Sequence, residues 1–169
     1  NVEKRIDPTL LVEGCRTIVS VALNYYPATF IPKDQPQISW YAYGKDYHDV
    51  MRMKLHELYE SIAAIHPDIK ISGRCFCDTA PILERYWAWQ CGLGWLGRNK
   101  QLIIPHAGSA FFLGEILLSV EADNYDEPTK SNCGTCTKCI DSCPMQALSL
   151  EKGLDARRCL SYLTIENRG

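Results

Sequence analysis

No stretch of this chain approaches the roughly 20 apolar residues needed to span a membrane as a helix. Neither sign of charge prevails: 18 Lys+Arg stand against 20 Asp+Glu, a formal net charge of -2. That balance excludes indiscriminate nucleic-acid binding through a basic surface, though not a local basic groove. The opening residues NVEKRIDPTL are charged and contain no apolar segment of the kind that secretory signals carry. A cytoplasmic protein is therefore expected. The first residue is not Met, and the expectation is a piece of something longer. Histidine is scarce at four residues, and His56, His66 and His106 have no ligand spacing among them. Internal repeats and low-complexity tracts are also absent.

Cysteine, by contrast, is abundant: nine residues, an odd number that fits a closed disulfide framework poorly. Four of them fall within CGTCTKCIDSCP, from Cys133 to Pro144. Such clustering favours metal or cluster ligation over disulfide staples. At 169 residues and 46% hydrophobic content, the chain can bury a core and still carry a small appended module.

The periodicity predicts an α/β core. Thr17 to Tyr26 is a β-branched apolar run, read as a strand buried on both faces. Met51, Leu55, Leu58, Ile62 and Ile65 fall on one helical face, with Asp46 as N-cap and Pro67 as the stop. A second strand ends near Asp78. Pro81 opens the next helix and Gly92 closes it. QLIIP and SAFFLGEILLSV are further strands. The polar, acidic VEADNYDEPTKSN places a boundary that gives an α/β domain over 1–124 and a cysteine module over 125–169.

Cys133, Cys136, Cys139 and Cys143, followed by Pro144, form C-x2-C-x2-C-x3-C-P, the bacterial ferredoxin run. The first three thiolates converge on one cubane, and the fourth reaches a second. The Cys-Pro step should begin a helix through PMQALSL. A zinc site built from the same thiols is the alternative. Two 4Fe–4S clusters need eight thiolates. Only Cys159 lies downstream, so five ligands are present and three are missing. Either a further cysteine motif lies beyond Gly169, or Cys15, Cys75, Cys77 or Cys91 fills the gap. Those four sit on predicted core elements, where a free Cys is usually a small buried hydrophobe.

GLGWLG (Gly92 to Gly97) matches a dinucleotide fingerprint on paper. A helix precedes it rather than a strand, so its glycines read as a helix stop and a close approach to something bulky. Asp78 lies at a strand end among Tyr86, Trp87, Trp89 and Trp95, with Arg85 about two helical turns later. Desolvation there would raise its pKa toward general-acid use; the plainer role is a helix cap. His48 reads as an exposed first-turn residue, and Arg157 and Arg158 as a solvated patch or as charge compensation beside Cys159. The aromatics from Trp40 to Tyr47 read as core or as a flat ligand wall.

Four blocks, EKRIDPTLLVEG, YAYGKDYHDVMRMKL, CDTAPILERYWAWQCGLGWLGRNKQLI and CGTCTKCIDSCPMQAL with DARRCLSYLTIE, together resemble the epoxyqueuosine reductases of tRNA queuosine synthesis. The resemblance implies a mixed-sheet cobalamin-binding core related to reductive dehalogenases, followed by a partial ferredoxin-like 4Fe–4S module. It implies reduction of the epoxide on a modified wobble base, with Asp78 as proton donor. It places Arg5, Arg85 and Asn99 near the corrin or substrate. Cys133, Cys136 and Cys139 then ligate the first of two 4Fe–4S clusters, and Cys143 and Cys159 the second. The implied partners are a tRNA anticodon stem-loop and an external ferredoxin- or flavodoxin-type electron donor, with no membrane. Beside this reading stand a plain iron–sulfur electron-transfer protein, another corrinoid reductase of the dehalogenase type, and a zinc-stabilised interaction module.

Overall fold

The computed structural model describes residues 2–167. Along the chain run α1 (Val2–Ile6), β1 (Thr17–Asn24), α2 (Tyr47–Ile65), β2 (Gly73–Phe76), α3 (Glu84–Gln90), β3 (Trp95–Leu96), β4 (Leu102–Ile103), β5 (Phe111–Leu118), α4 (Lys138–Asp141), β6 (Leu148–Ser149) and β7 (Gly153–Leu154). Short 3₁₀ and π turns fill some of the gaps.

The scaffold is a three-stranded sheet in the order β1-β5-β2, with both pairings antiparallel. The α and β layers meet the expectation of an α/β core. The mixture of parallel and antiparallel strands does not appear among the described residues. The strand buried on both faces is β5 rather than β1, because β5 occupies the centre. Its side chains alternate between two cores. Ile116 and Leu118 join Met51, Leu55 and Cys77 under α2. Leu117 joins Phe76 and Ile82, with Trp87 of α3 packed against them. Each fully buried aliphatic side chain contributes about 1.5–3 kcal/mol. Gly114 lets α2 settle: a Cβ there would lie 2.7 Å from the Met51 methyl.

Helix α2 begins where the sequence places it, with the Asp46 carboxylate accepting the His48 N–H at 2.9 Å. Helix α3 begins at Glu84, three residues after Pro81. Asp78 is left-handed (φ 57°), and the chain then turns tightly, with Thr79 N–H donating to Cys77 O and Ile82 N–H to Ala80 O. Those turns use up the residues that a helix from Pro81 would need. The helix expected through PMQALSL is also absent. Gln146 is left-handed (φ 48°), Ala147 N–H turns back to Cys143 Sγ at 3.3 Å, and Leu148–Ser149 pairs with Gly153–Leu154.

GLGWLG contains β3, which pairs with β4. Gly92 (φ 73°) stops α3 as expected. The bulky neighbour of Gly94 and Gly97 is the chain itself: a Cβ on Gly94 would collide with the Ile103 carbonyl, and one on Gly97 would lie 2.6 Å from Ile103 Cδ1.

The segment after 124 is stitched to α3 and to the β3–β4 hairpin. Trp89 Nε1 donates to Thr129 O at 2.9 Å, Thr129 Oγ1 to Gly92 O at 3.1 Å, and Arg98 to the carbonyls of Gly134 and Cys136.

Gly94→Ala in the full-length protein should lower stability by about 1–3 kcal/mol, the usual cost of overpacking against backbone. Gly44→Ala, which points into open space, should stay within about 0.5 kcal/mol of the parent. Equal melting temperatures for the two variants would show that the hairpin yields freely.

Candidate active site

The end of β2 and the first turn of α2 meet at Asp78. Tyr47 OH donates to Asp78 Oδ2 at 2.6 Å, and His48 Nε2 lies 3.2 Å from the same oxygen. The other ring nitrogen, His48 Nδ1, lies 2.7 Å from Asp46 Oδ1. One imidazole thus bridges two carboxylates. Its hydrogen bond to Asp46 holds His48 above its ordinary pKa; burial opposes this, and the bond to Asp78 adds to the rise. Burial, then the bond to Asp78, keeps the Tyr47 phenol protonated. The Tyr47 ring is fixed by a flat stack on Phe112, with centroids 4.3 Å apart and planes 2° apart.

Asp78 does not cap α3. Leu83 holds the N-cap position and makes no side-chain cap bond. Nor is Asp78 desolvated, since its side chain is 58% exposed. The shifted acids stand behind it. Glu84 accepts the Asp78 backbone N–H, and desolvation raises its pKa. Glu115, on the central strand, is wholly buried and pushed up to about 9 by desolvation and then by Glu84. Among the described residues its one hydrogen-bond partner is Ser20 Oγ at 3.5 Å, and its Oε2 has none.

Two open cavities share Asp78, Glu84 and Arg85. One, of about 240 Å³, has an apolar wall of Tyr47, Leu102, Phe111, Phe112 and Leu113. The other, of about 440 Å³, adds Arg5, Ile82 and Glu166. Arg5 and Arg85 are therefore brought together beside Asp78. Asn99 lines neither cavity. Its Oδ1 accepts Gln101 N–H at 3.1 Å and so shapes the β3–β4 turn, whose Lys100 carbonyl accepts from Arg85 at 3.0 Å.

In the cysteine run, Cys143 Sγ collects backbone N–H groups, led by Ala147, and its thiol is held below the ordinary range. At Cys133, burial raises the pKa, but the Arg98 backbone N–H, Ser131 and the Trp95 indole outweigh it and lower the net value. The Trp95 Nε1 itself is buried and reaches no acceptor with hydrogen-bond geometry. Thiols easily deprotonated and ringed by N–H donors suit an anionic cluster. Among the described residues no three of His, Cys, Asp or Glu converge on a single metal ion, as a zinc site would need. Cys159 follows a 3₁₀ turn capped by Asp155, onto which Arg157 forks at 3.0 Å from both Nε and Nη2. Arg157 thus serves the cap. Cys15, Cys75 and Cys77 pack in the two cores, with Cys77 pushed up to about 12 by burial, and Cys91 ends α3.

Sequence reasoning gave Tyr47, Glu84 and Glu115 no catalytic part and read His48 as solvent-facing. The usable signal was the i, i+1, i+2 run Asp46-Tyr47-His48 at a helix start. Glu115 was visible as one acid inside an apolar strand.

An α/β core joined to a run of thiols ringed by N–H donors defines a class: an iron–sulfur protein. A family model described as epoxyqueuosine reductase QueG matches residues 5–79, and one described as a 4Fe-4S double cluster binding domain matches 132–169. The chain is 42% identical to an epoxyqueuosine reductase of Cellulophaga algicola, over 97% of its own length and 53% of that protein's. It superposes on the structure of epoxyqueuosine reductase from Streptococcus thermophilus with TM-score 0.85 at 30% identity, covering 100% of this chain and 46% of the other. A crystal structure of epoxyqueuosine reductase with an epoxyqueuosine-modified tRNA-Tyr stem loop gives TM-score 0.83 at 35% identity, over 97% of this chain and 44% of that one. The chain belongs to the epoxyqueuosine reductase family and carries its 4Fe–4S binding domain. It spans about half the length of the relatives it matches. No described helix is long and apolar enough to cross a membrane.

Glu115 ties this site to stability. Its folded pKa of about 9 exceeds the unfolded value near 4.3, so its contribution is full below pH ~4 and is lost as pH rises toward 9. Glu115→Gln removes that slope. Between pH 5.5 and 7.5 the variant should gain on the parent by on the order of 2 kcal/mol, read as diverging denaturant midpoints. Parallel midpoints across that range would place Glu115 in a wetter site than its burial indicates.

Proposed function

We propose that this chain is the acid-bearing and cluster-bearing part of an enzyme that reduces the epoxide of epoxyqueuosine at the tRNA wobble position to queuosine. The observation that carries the reading is Asp78 held between Tyr47 and His48 at the mouth of two cavities, within a chain of this family. Removing the epoxide oxygen as water and leaving the alkene consumes two electrons and two protons. Two 4Fe–4S clusters, held in part by Cys133, Cys136, Cys139, Cys143 and Cys159, pass the electrons singly from a ferredoxin- or flavodoxin-type donor.

The cavities support a flat macrocycle on one side only. Both are open; one is walled by Phe111 and Phe112, and the other by Arg5 and Arg85 together with the carboxylates of Asp78, Glu84 and Glu166. This chain therefore offers one face for cobalamin, with the two arginines at its polar fringe. Cobalamin, when bound, supplies a strongly reducing cobalt nucleophile for the substrate carbon. The chain's own residues handle the proton. Asp78 Oδ2 gives it to the departing oxygen. His48, kept basic by Asp46, stands within reach to return it. Tyr47 holds the carboxyl at its mark, and Glu84 fixes the backbone behind it. Substrate and cofactor closing over the wall complete the desolvation that Asp78 lacks here.

Asp78→Asn in the full-length enzyme should cut turnover by about 10²–10⁴-fold, the usual share of a positioned general acid, while stem-loop affinity holds. Turnover at the parental rate would remove Asp78 from the chemistry. His48→Asn bears on the pH profile. Proton return through His48 is complete below its raised pKa and is lost above it. The parental rate should thus fall on an alkaline limb that the variant lacks, and identical limbs would mean that the proton arrives another way.

A further inference from the structure

Between the acid site and the cysteine run lies the segment Trp95-Leu96-Gly97-Arg98, which the reaction as described does not use. Two of its side chains turn toward the first cluster-ligand turn. The Arg98 guanidinium forks onto that turn, Nη2 to Gly134 O at 2.7 Å and Nη1 to Cys136 O. These are the carbonyls of the residue after Cys133 and of Cys136 itself. The Trp95 indole N–H is fully buried and has no acceptor of proper geometry among the described residues, although the Cys133 sulfur is its neighbour. A buried donor left without a partner costs about 1–3 kcal/mol, so its retention calls for an acceptor of another kind. A thiolate bound to iron is such an acceptor, larger and more negative than the free thiol.

We infer that Trp95 donates its indole N–H to the Cys133 sulfur of the assembled cluster and sets that cluster's reduction potential, while Arg98 clamps the Cys133–Cys136 turn so that the contact forms. Both are positioning residues. The inference rests on the reading of Cys133, Cys136 and Cys139 as ligands of one 4Fe–4S cluster. Donors to cluster sulfurs stabilise the more negative, reduced state and so raise the potential. Trp89 supplies an internal control. It lies at the same junction, but its indole already donates to Thr129 O at 2.9 Å.

The test is an EPR-monitored redox titration of full-length protein reconstituted anaerobically, as parent, Trp95→Phe and Trp89→Phe. Trp95→Phe should bind iron and sulfide in parental amount. One cluster should become about tenfold harder to reduce, a negative shift of about 59 mV for one electron. Trp89→Phe should titrate with the parent. An unshifted Trp95→Phe with full cluster content overturns the inference and leaves the cluster reading standing; a parent that assembles no 4Fe–4S cluster overturns both. Should Trp95→Phe fail to assemble, pulsed EPR of the reduced parent grown with ¹⁵N-indole tryptophan decides. A nitrogen coupling that persists in Trp89→Phe supports the contact, and no coupling overturns it. Arg98→Lys, which cannot fork onto two carbonyls, should lower cluster occupancy at limiting iron, and parental occupancy would remove the clamp.

Discussion

The backbone N–H of Asp78 bonded to Glu84 is the contact on which the site depends. A left-handed aspartate is uncommon without local support. Here it reverses the chain at the end of a strand and swings the carboxyl across to the first turn of α2. Without that reversal β2 would run on, α3 could start at Pro81, and Asp78 would face neither Tyr47 nor His48. Glu84 in turn is held by opening α3, and α3 is held by Trp87 and Ala88 against the central strand. The geometry of one exposed acid is thus set by the packing of a core several residues away.

The same helix end leads into the junction with the cysteine module. Gly92 stops α3 and lends its carbonyl to Thr129. Gly94 and Gly97 let β3 lie against Ile103, and Arg98 at the end of that hairpin reaches the ligand turn. Arg85 is fixed from the other side of the hairpin through Lys100. A single two-stranded element therefore touches both the acid site and the iron–sulfur run. Such a connection is short and rigid, which suits the electron transfer proposed above.

The parts legible in the sequence were those governed by local chemistry. Asp46 capping, the 3.6-residue stripe from Met51 to Ile62, the Gly92 stop and the C-x2-C-x2-C-x3-C-P run all act through near neighbours, and the chain repeats them in its pattern. Asp78 stood out through its setting of strand end, Pro and aromatic residues, but that setting read most readily as a helix cap, and the side chain is neither a cap nor desolvated. What stayed hidden depends on partners distant in sequence. The central place of β5 is decided by which strands flank it. The role of Gly94 is decided by Ile103, and that of His48 by Asp78, thirty residues on. PMQALSL misled because Cys-Pro is a sound helix opener in isolation, whereas here Cys143 draws the following N–H groups onto its own sulfur.

One carboxylate oxygen, Asp46 Oδ1, holds both the first turn of α2 and the imidazole that serves the acid. Helix ends are the first places to open in a native protein. Each fraying event at this end releases His48 and Tyr47 together, so the hydrogen bonds to Asp78 and the helix cap share a single opening equilibrium. For the reaction proposed above, the warm limit would then be set by the opening of one helical turn rather than by the sheet.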